Sequence, residues 1–151
     1  MSTITVQKIV PVLSSDTAGP LGAIHLPRLW LKLSLAAAGL LPEDYDECGS
    51  GFDQMTLNDL GLDRQKTIDY VRTQKPTYMQ FEEWVIAQNG GSISEDRIRK
   101  HNESVRSYEH GAEKAETMRK KSGIKNPDVL DAVTLNTVED LDDMYEQIVR
   151  K

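Results

Sequence analysis

Three basic side chains share one face of the most apolar helix that the sequence predicts. His25, Arg28 and Lys32 lie three and four residues apart, so an α-helix places them side by side. The residues around them, from Leu26 to Ala38, are nearly all apolar, and a helix that is apolar all round is buried. Because burying an unpaired cation is costly, Arg28 and Lys32 must reach solvent, meet carboxylates or line a cavity for an anion.

Two of these outcomes are structural and one is functional. Long cationic side chains can extend to the surface, or they can form internal salt bridges with some of the 24 acidic residues. In the functional outcome, the planar guanidinium of Arg28 binds a small anionic molecule, and Lys32 or His25 adds positive potential.

Asp53 and Tyr45 are the candidates for proton transfer beside such an anion, together with His25. Elimination or hydration next to a carboxylate needs a base, an acid and an anion-binding group, but no redox centre. We therefore predict a cofactor-independent enzyme of lyase, hydratase or isomerase type that acts on a small anionic or carboxylate-bearing molecule. The structural alternatives are a helix N-cap for Asp53 and simple packing for Tyr45.

Three further residues complete the predicted substrate pocket. Trp84 lies on an apolar stripe and either belongs to the core or forms a wall of the pocket. His101 and Asn102 occupy the inward edge of a long predicted helix, where a polar side chain needs a partner. They therefore either hydrogen-bond within the core or contact the substrate.

The sequence predicts no metal ion and no other cofactor. His25, His101 and His110 are too far apart to form the i, i+4 pair of a helical zinc site. A phosphate-binding loop, a dinucleotide fingerprint and a calcium loop are all missing from the sequence. Cys48 is a weak candidate nucleophile, since its acidic neighbours suppress the thiolate.

The elements that must position these residues are mostly helices. Pro27 suits the start of the first helix and Gly39 suits its end. Thr77 followed by Gln80 predicts a capping box. We predict helices over 26–38, 53–60, 63–73, 77–89, 94–122 and 126–133, and a final amphipathic helix capped by Thr137. Gly111 could kink or break the segment over 94–122.

These elements predict an all-α fold, in which a compact set of helices surrounds a buried central helix and an extended N-terminal arm precedes it. The arm includes a β-prone segment over 3–13 that could form a short strand. We predict one domain over 1–151, with an arm and loop over 1–24 and a helical core over 25–123. The C-terminal helices, over 124–151, pack on that core or on a partner.

Charge and targeting signals limit the choice of partner and compartment. The formal net charge of −6 repels phosphate backbones and anionic lipids, so we predict neither nucleic-acid nor membrane binding. The N-terminus lacks the features of a signal peptide, and a single cysteine fits a reducing compartment. The sequence therefore favours a cytoplasmic location.

A non-catalytic interaction domain is the alternative function. A weak heptad stripe runs through the long predicted helix, and the final helix over 137–151 is amphipathic. Either could pair with a second copy to form a homo-oligomer, or with another protein. In that case Arg28 and Lys32 should be neutralised by internal carboxylates. The heptad stripe consists of Ile98, His101, Val105, Tyr108, Ala112 and Ala115.

Residues 22–28 form a G-x-x-x-L-P-R element, and this element opens the apolar helix. With the residues that follow it, the element resembles a bacterial protein family of unknown function. That resemblance implies a helical domain over about residues 19–145 and implies no reaction. The chain differs from the family in lacking an arginine before the element. The matching residues beyond the element are Lys32, Ala36, Gly39, Tyr45, Cys48, Asp53, the turn over 60–63, Trp84 and Asn102.

Overall fold

The computed structural model describes residues 7–150, which form seven α-helices and no strand. The all-α prediction is therefore confirmed. The helices are α1 (Leu26–Ala37), α2 (Phe52–Asp59), α3 (Arg64–Gln74), α4 (Tyr78–Gln88), α5 (Glu95–Ser107), α6 (Ala112–Ser122) and α7 (Ala132–Val149). None of these helices is long and apolar enough to cross a membrane.

The central helix α1 is buried, as its composition predicts. Leu26, Leu29 and Leu33 are almost completely removed from solvent and belong to the main hydrophobic core. Helices α3 and α4 pack against α1, and they bring Val71 and Phe81 into the same core. Gly39 follows the helix with a φ of 72°, a left-handed conformation that glycine adopts without strain.

The predicted helix over 94–122 is interrupted, since α5 ends at Ser107 and α6 begins at Ala112, directly after the glycine at which the sequence allowed a break. The intervening backbone pairs with residues 130–132 instead of continuing the helix. The N–H of His110 donates to the carbonyl of Leu130 (3.1 Å), and the N–H of Ala132 donates to the carbonyl of Tyr108 (2.9 Å). Most of the heptad stripe is used internally, since Ile98, His101, Val105 and Ala115 are buried.

Helix α7 differs from the prediction at its start. A separate helix over 126–133 and a cap at Thr137 are both wrong, because one continuous helix runs from Ala132 to Val149. Asp131 caps it by accepting a hydrogen bond from the N–H of Thr134 (2.9 Å). Thr137 lies inside the helix, where its hydroxyl donates to the carbonyl of Val133 (2.7 Å).

The N-terminal arm runs between α1 and α7. The N–H of Ile9 donates to the carbonyl of Leu40 (2.7 Å), and the carbonyl of Lys8 accepts from the side-chain amide of Gln147 (2.9 Å). Residues 7–13 form no strand, and the earlier part of the predicted β-prone segment lies outside the described residues. The arm therefore links the end of the central helix to the last helix of the fold.

Candidate functional site

His25 sits at the N-terminus of α1 in a left-handed conformation, with a φ of 68°. Its Nδ1 lies 2.9 Å from the hydroxyl of Ser15, and its Nε2 lies 2.7 Å from Oδ1 of Asp53. A carboxylate can only accept, so Nε2 carries the proton and Nδ1 accepts from Ser15. Burial lowers the pKa of His25, because the charged imidazolium is poorly solvated there. His25 is therefore neutral at pH 7.

Asp53 is the anionic centre of this first cluster. Its second oxygen, Oδ2, accepts from Nζ of Lys32 (2.5 Å) and from the N–H of Gly49 (2.7 Å). Burial by itself would raise the pKa of Asp53, but the hydrogen bond from His25 and the charge of Lys32 outweigh it and hold that pKa well below its ordinary range. Asp53 lies in the first turn of α2 and is not its N-cap, which is Gly51.

Arg28 is the cation of a second cluster, one turn further along α1. Its guanidinium contacts both carboxylate oxygens of Asp140 in α7, at 2.5 and 3.1 Å. It also donates to the backbone carbonyls of Pro11 (2.7 Å) and Leu13 (3.0 Å) in the arm. Arg28 therefore joins three separate parts of the chain, and its charge is matched by a carboxylate of the protein itself.

Tyr45 belongs to the same cluster. Its single hydroxyl hydrogen faces two carboxylates of α7, Asp143 at 2.7 Å and Asp140 at 3.1 Å. Burial and the hydrogen bond to Asp143 raise the pKa of Tyr45 far above its ordinary value. In this arrangement Tyr45 keeps its proton and serves as a fixed hydrogen-bond donor.

The first cluster has the order of groups found in a nucleophilic triad. Ser15, His25 and Asp53 form a hydroxyl–imidazole–carboxylate chain, although the two ring nitrogens are exchanged relative to the usual arrangement. All three residues are at most 3% exposed, so a substrate would have to displace the arm to reach Ser15. No described group of three or more His, Cys, Asp or Glu side chains in residues 7–150 is arranged to hold a metal ion.

His101 and Asn102 of α5 hold the backbone that precedes His25. His101 donates from Nε2 to the carbonyl of Ile24 (2.9 Å), and its Nδ1 lies 2.7 Å from Asp59. Asn102 accepts from the N–H of Ile24 (2.9 Å) and donates to the carbonyl of Gly22 (2.8 Å). Both side chains thus fix the turn that places His25, and their own polar atoms are occupied in doing so.

Trp84 lies in a different part of the fold. Its ring stacks on Tyr70 of α3 at a centroid distance of 4.5 Å with the planes 7° apart, and it also packs near Phe81. These partners belong to the main core and its edge. Trp84 is therefore separate from the two charged clusters on α1.

Cys48 is buried in the loop before α2. Burial and the nearby carboxylate of Asp53 raise its pKa to about 11, so the thiol is protonated at neutral pH. Burial, and not the acidic residues next to Cys48 in the sequence, is therefore the main cause of the raised pKa of the thiol.

Sequence reasoning missed the partners of the predicted site residues. Ser15, Asp140 and Asp143 contact His25, Arg28 and Tyr45 across separations of 10 to 112 residues. Ser15 lies in a serine-rich loop for which the sequence predicts only a turn. The acidic residues of α7 have the pattern of an ordinary solvent-exposed helix face. Neither pattern carries a signal for burial.

One face of α7 leaves large apolar side chains in contact with solvent. Leu141, Tyr145, Ile148 and Val149 are each more than half exposed. Spacings of three and four residues place them on one side of the helix. We call these four residues the α7 stripe.

No protein-family model matches the chain, and no curated protein shows a significant match to it. The resemblance to a bacterial family of unknown function stays a prediction.

Proposed function

We propose that this chain is a non-catalytic helical interaction domain that binds another protein through the α7 stripe. The observation that carries the proposal is the exposure of Leu141, Tyr145, Ile148 and Val149, which ranges from 52% to 62%. Eight large apolar residues are exposed within the described part of the chain, and four of them lie in this short segment. Grouped exposed apolar side chains mark sites of interaction more often than single ones do.

The geometry of the stripe suits a helical partner. An amphipathic helix presents residues at i, i+4 and i+7 to a groove or to another helix, and Leu141, Tyr145 and Ile148 follow that spacing. Val149 extends the same surface to the end of α7. Tyr145 adds a large, rigid side chain of the kind that contributes strongly to protein interfaces.

The charged clusters on α1 support the same proposal, because their cations are already paired with carboxylates of the protein itself. Arg28 is neutralised by Asp140 and Lys32 by Asp53, which is the internal pairing expected of an interaction domain. The bond from Arg28 to Asp140 also attaches the inner side of α7 to α1. The α7 stripe lies on a different side of the helix from Asp140 and stays exposed to solvent.

Selection of peptides from a random helical library against the purified protein tests the proposal. We expect the enriched peptides to bind the native protein and to lose binding to the double variant Leu141→Asp/Ile148→Asp. They should still bind Met79→Asp, which changes another exposed apolar side chain on α4. Peptides that bind both variants equally well, or a selection without enrichment, would contradict the proposal.

A specific observation also favours a second candidate, the cofactor-independent enzyme acting on a small anionic molecule. Ser15, His25 and Asp53 form a connected chain with a neutral imidazole in the middle, which is a chemically competent arrangement for moving a proton. Arg28 would bind the anion of the substrate in place of Asp140. This function requires the arm over 7–15 to move away from α1.

Thermal unfolding with a panel of small carboxylates separates the two candidates. A ligand that binds only the folded state raises the melting temperature by mass action. The enzyme hypothesis expects the native protein to respond to a carboxylate. The interaction hypothesis expects a response only in Asp140→Ala, where an external carboxylate such as acetate can replace the missing partner of Arg28.

A further inference from the structure

One edge of the α7 stripe carries two carboxylates. At about 100° per residue, Asp142 follows Leu141 and Glu146 follows Tyr145 on the same side of the stripe. We call Asp142 and Glu146 the acidic edge. Glu146 is exposed and Asp142 is half-buried.

Helix α7 itself supplies only negative charge to this edge. Helix α7 contains five acidic residues and no lysine or arginine. Arg150 contacts Glu146 at 3.2 Å, but both side chains are more than half exposed, and such surface pairs hold little energy. On the α6 side, the hydroxyl of Ser122 donates to Asp142 (2.6 Å), a contact that adds no positive charge to the edge.

The negative charges of α7 favour some binding partners of the stripe over others. A second copy would bring the same acidic helix and a further net charge of −6 to the contact. Anionic lipid surfaces and nucleic acids would be repelled for the same reason. A helix that offers apolar side chains to the stripe and lysine or arginine to the acidic edge satisfies both features of the surface.

We infer that the partner of the α7 stripe is a basic amphipathic helix of another protein, with its cations aligned along one edge. The inference rests on the proposed function and adds the charge of the partner to it. The apolar stripe supplies the contact area, and the acidic edge selects the partner and fixes its direction.

Fluorescence anisotropy with three labelled peptides of about five helical turns tests the inference. One peptide has a leucine stripe with a lysine edge, the second has the same stripe with a glutamate edge, and the third is a non-amphipathic scramble of the first. We expect the lysine-edge peptide to bind about tenfold more tightly than either other peptide, and to weaken as salt screens the charges. The double variant Asp142→Lys/Glu146→Lys should reverse the preference between the lysine-edge and glutamate-edge peptides.

The outcomes separate this inference from the proposed function. Equal binding of the lysine-edge and glutamate-edge peptides, lost in Leu141→Asp/Ile148→Asp, would overturn the inferred charge and leave the docking surface in place. Equal binding of the scrambled peptide would overturn the helical partner. Light scattering that shows a native dimer dispersed by Leu141→Asp would identify a second copy instead. Binding of no peptide would overturn the inference, while the library selection decides the proposed function independently.

Discussion

Arg28 and Asp140 form a buried, two-point ion pair between residues that are 112 positions apart in the chain. The guanidinium lies on the central helix α1 and the carboxylate on the last helix α7. The same guanidinium binds the carbonyls of Pro11 and Leu13, so one side chain connects the arm, the centre and the C-terminal helix. Burial raises the pKa of Asp140 in spite of Arg28, because desolvation of the carboxylate outweighs the hydrogen bond and the charge of Arg28.

Removing one member of this pair should lower the free energy of unfolding far more than replacing both members with apolar residues. We expect Asp140→Ala to lower the free energy of unfolding by about 3–5 kcal/mol, because Arg28 is left buried with its charge uncompensated. The double variant Arg28→Met/Asp140→Leu should recover most of that loss. Urea denaturation at neutral pH measures both values.

Glu146→Ala is the matched control for this prediction, since it breaks a salt bridge of the same helix that is largely exposed. We expect a change below about 0.5 kcal/mol for it. If Asp140→Ala were as mild as the control, the pair would contribute no more than a surface contact.

Stability should fall in mildly acidic solution because of His25. Its pKa is lowered in the folded protein from 6.5, so the unfolded chain takes up a proton first as the pH falls. The stabilising contribution is therefore complete above pH 6.5 and is lost below it, with a slope of at most about 1.4 kcal/mol per pH unit. Chemical denaturation between pH 7.5 and about 5 measures the slope.

The variant His25→Asn provides the comparison, since asparagine tolerates the left-handed backbone and does not titrate. Its stability should change less over the same pH range. The lowered pKa of Asp53 acts only below about 3.8, so it does not contribute to the difference. Parallel pH curves for the two proteins would show that His25 is not the responsible group.

Cys48 should resist alkylation in the folded protein. A pKa of about 11 leaves roughly one thiol in a thousand as thiolate at pH 8, and the side chain is also buried. We expect iodoacetamide to react at least about 100-fold more slowly than with the unfolded chain, as followed by mass spectrometry. A rate close to that of the unfolded chain would contradict the burial of this loop.

The α7 stripe should contribute little to the stability of the isolated domain. Leu141→Asp and Ile148→Asp change exposed side chains, so each should alter the free energy of unfolding by less than about 0.5 kcal/mol. Leu135→Asp, on the buried side of the same helix, should cost about 4 kcal/mol or more because it places an unpaired charge in the core. Similar losses for all three would mean that the stripe packs within the domain.

Local signals predicted the parts of the fold that depend on neighbouring residues. The capping box of Thr77 and Gln80 is present, and the glycine after α1 adopts the expected positive φ. Burial of the central helix followed from its composition. The sequence also indicated that Arg28 and Lys32, as cations on a buried helix, require solvent, a carboxylate or another anion to compensate their charge. Each of these features is decided within one or two helical turns.

The remaining features depend on contacts between distant segments. The break between α5 and α6 exists because residues 108–110 pair with residues 130–132, and nothing in the local sequence announces that pairing. Asp140 was one of many acids that could have met Arg28. The sequence grouped His25, Arg28 and Lys32 on one face of α1, but it could not separate an anion pocket from a set of internal ion pairs.

The position of Asp140 also affects how the protein is made. On the ribosome Arg28 is synthesised 112 residues before the carboxylate that neutralises it, so the nascent chain carries an unmatched cation in its most apolar segment for most of its translation. The central helix can reach its final environment only after α7 has been completed. Closing so long a loop costs conformational entropy, and the two-point bond between Arg28 and Asp140 is one of the contacts that offset this cost.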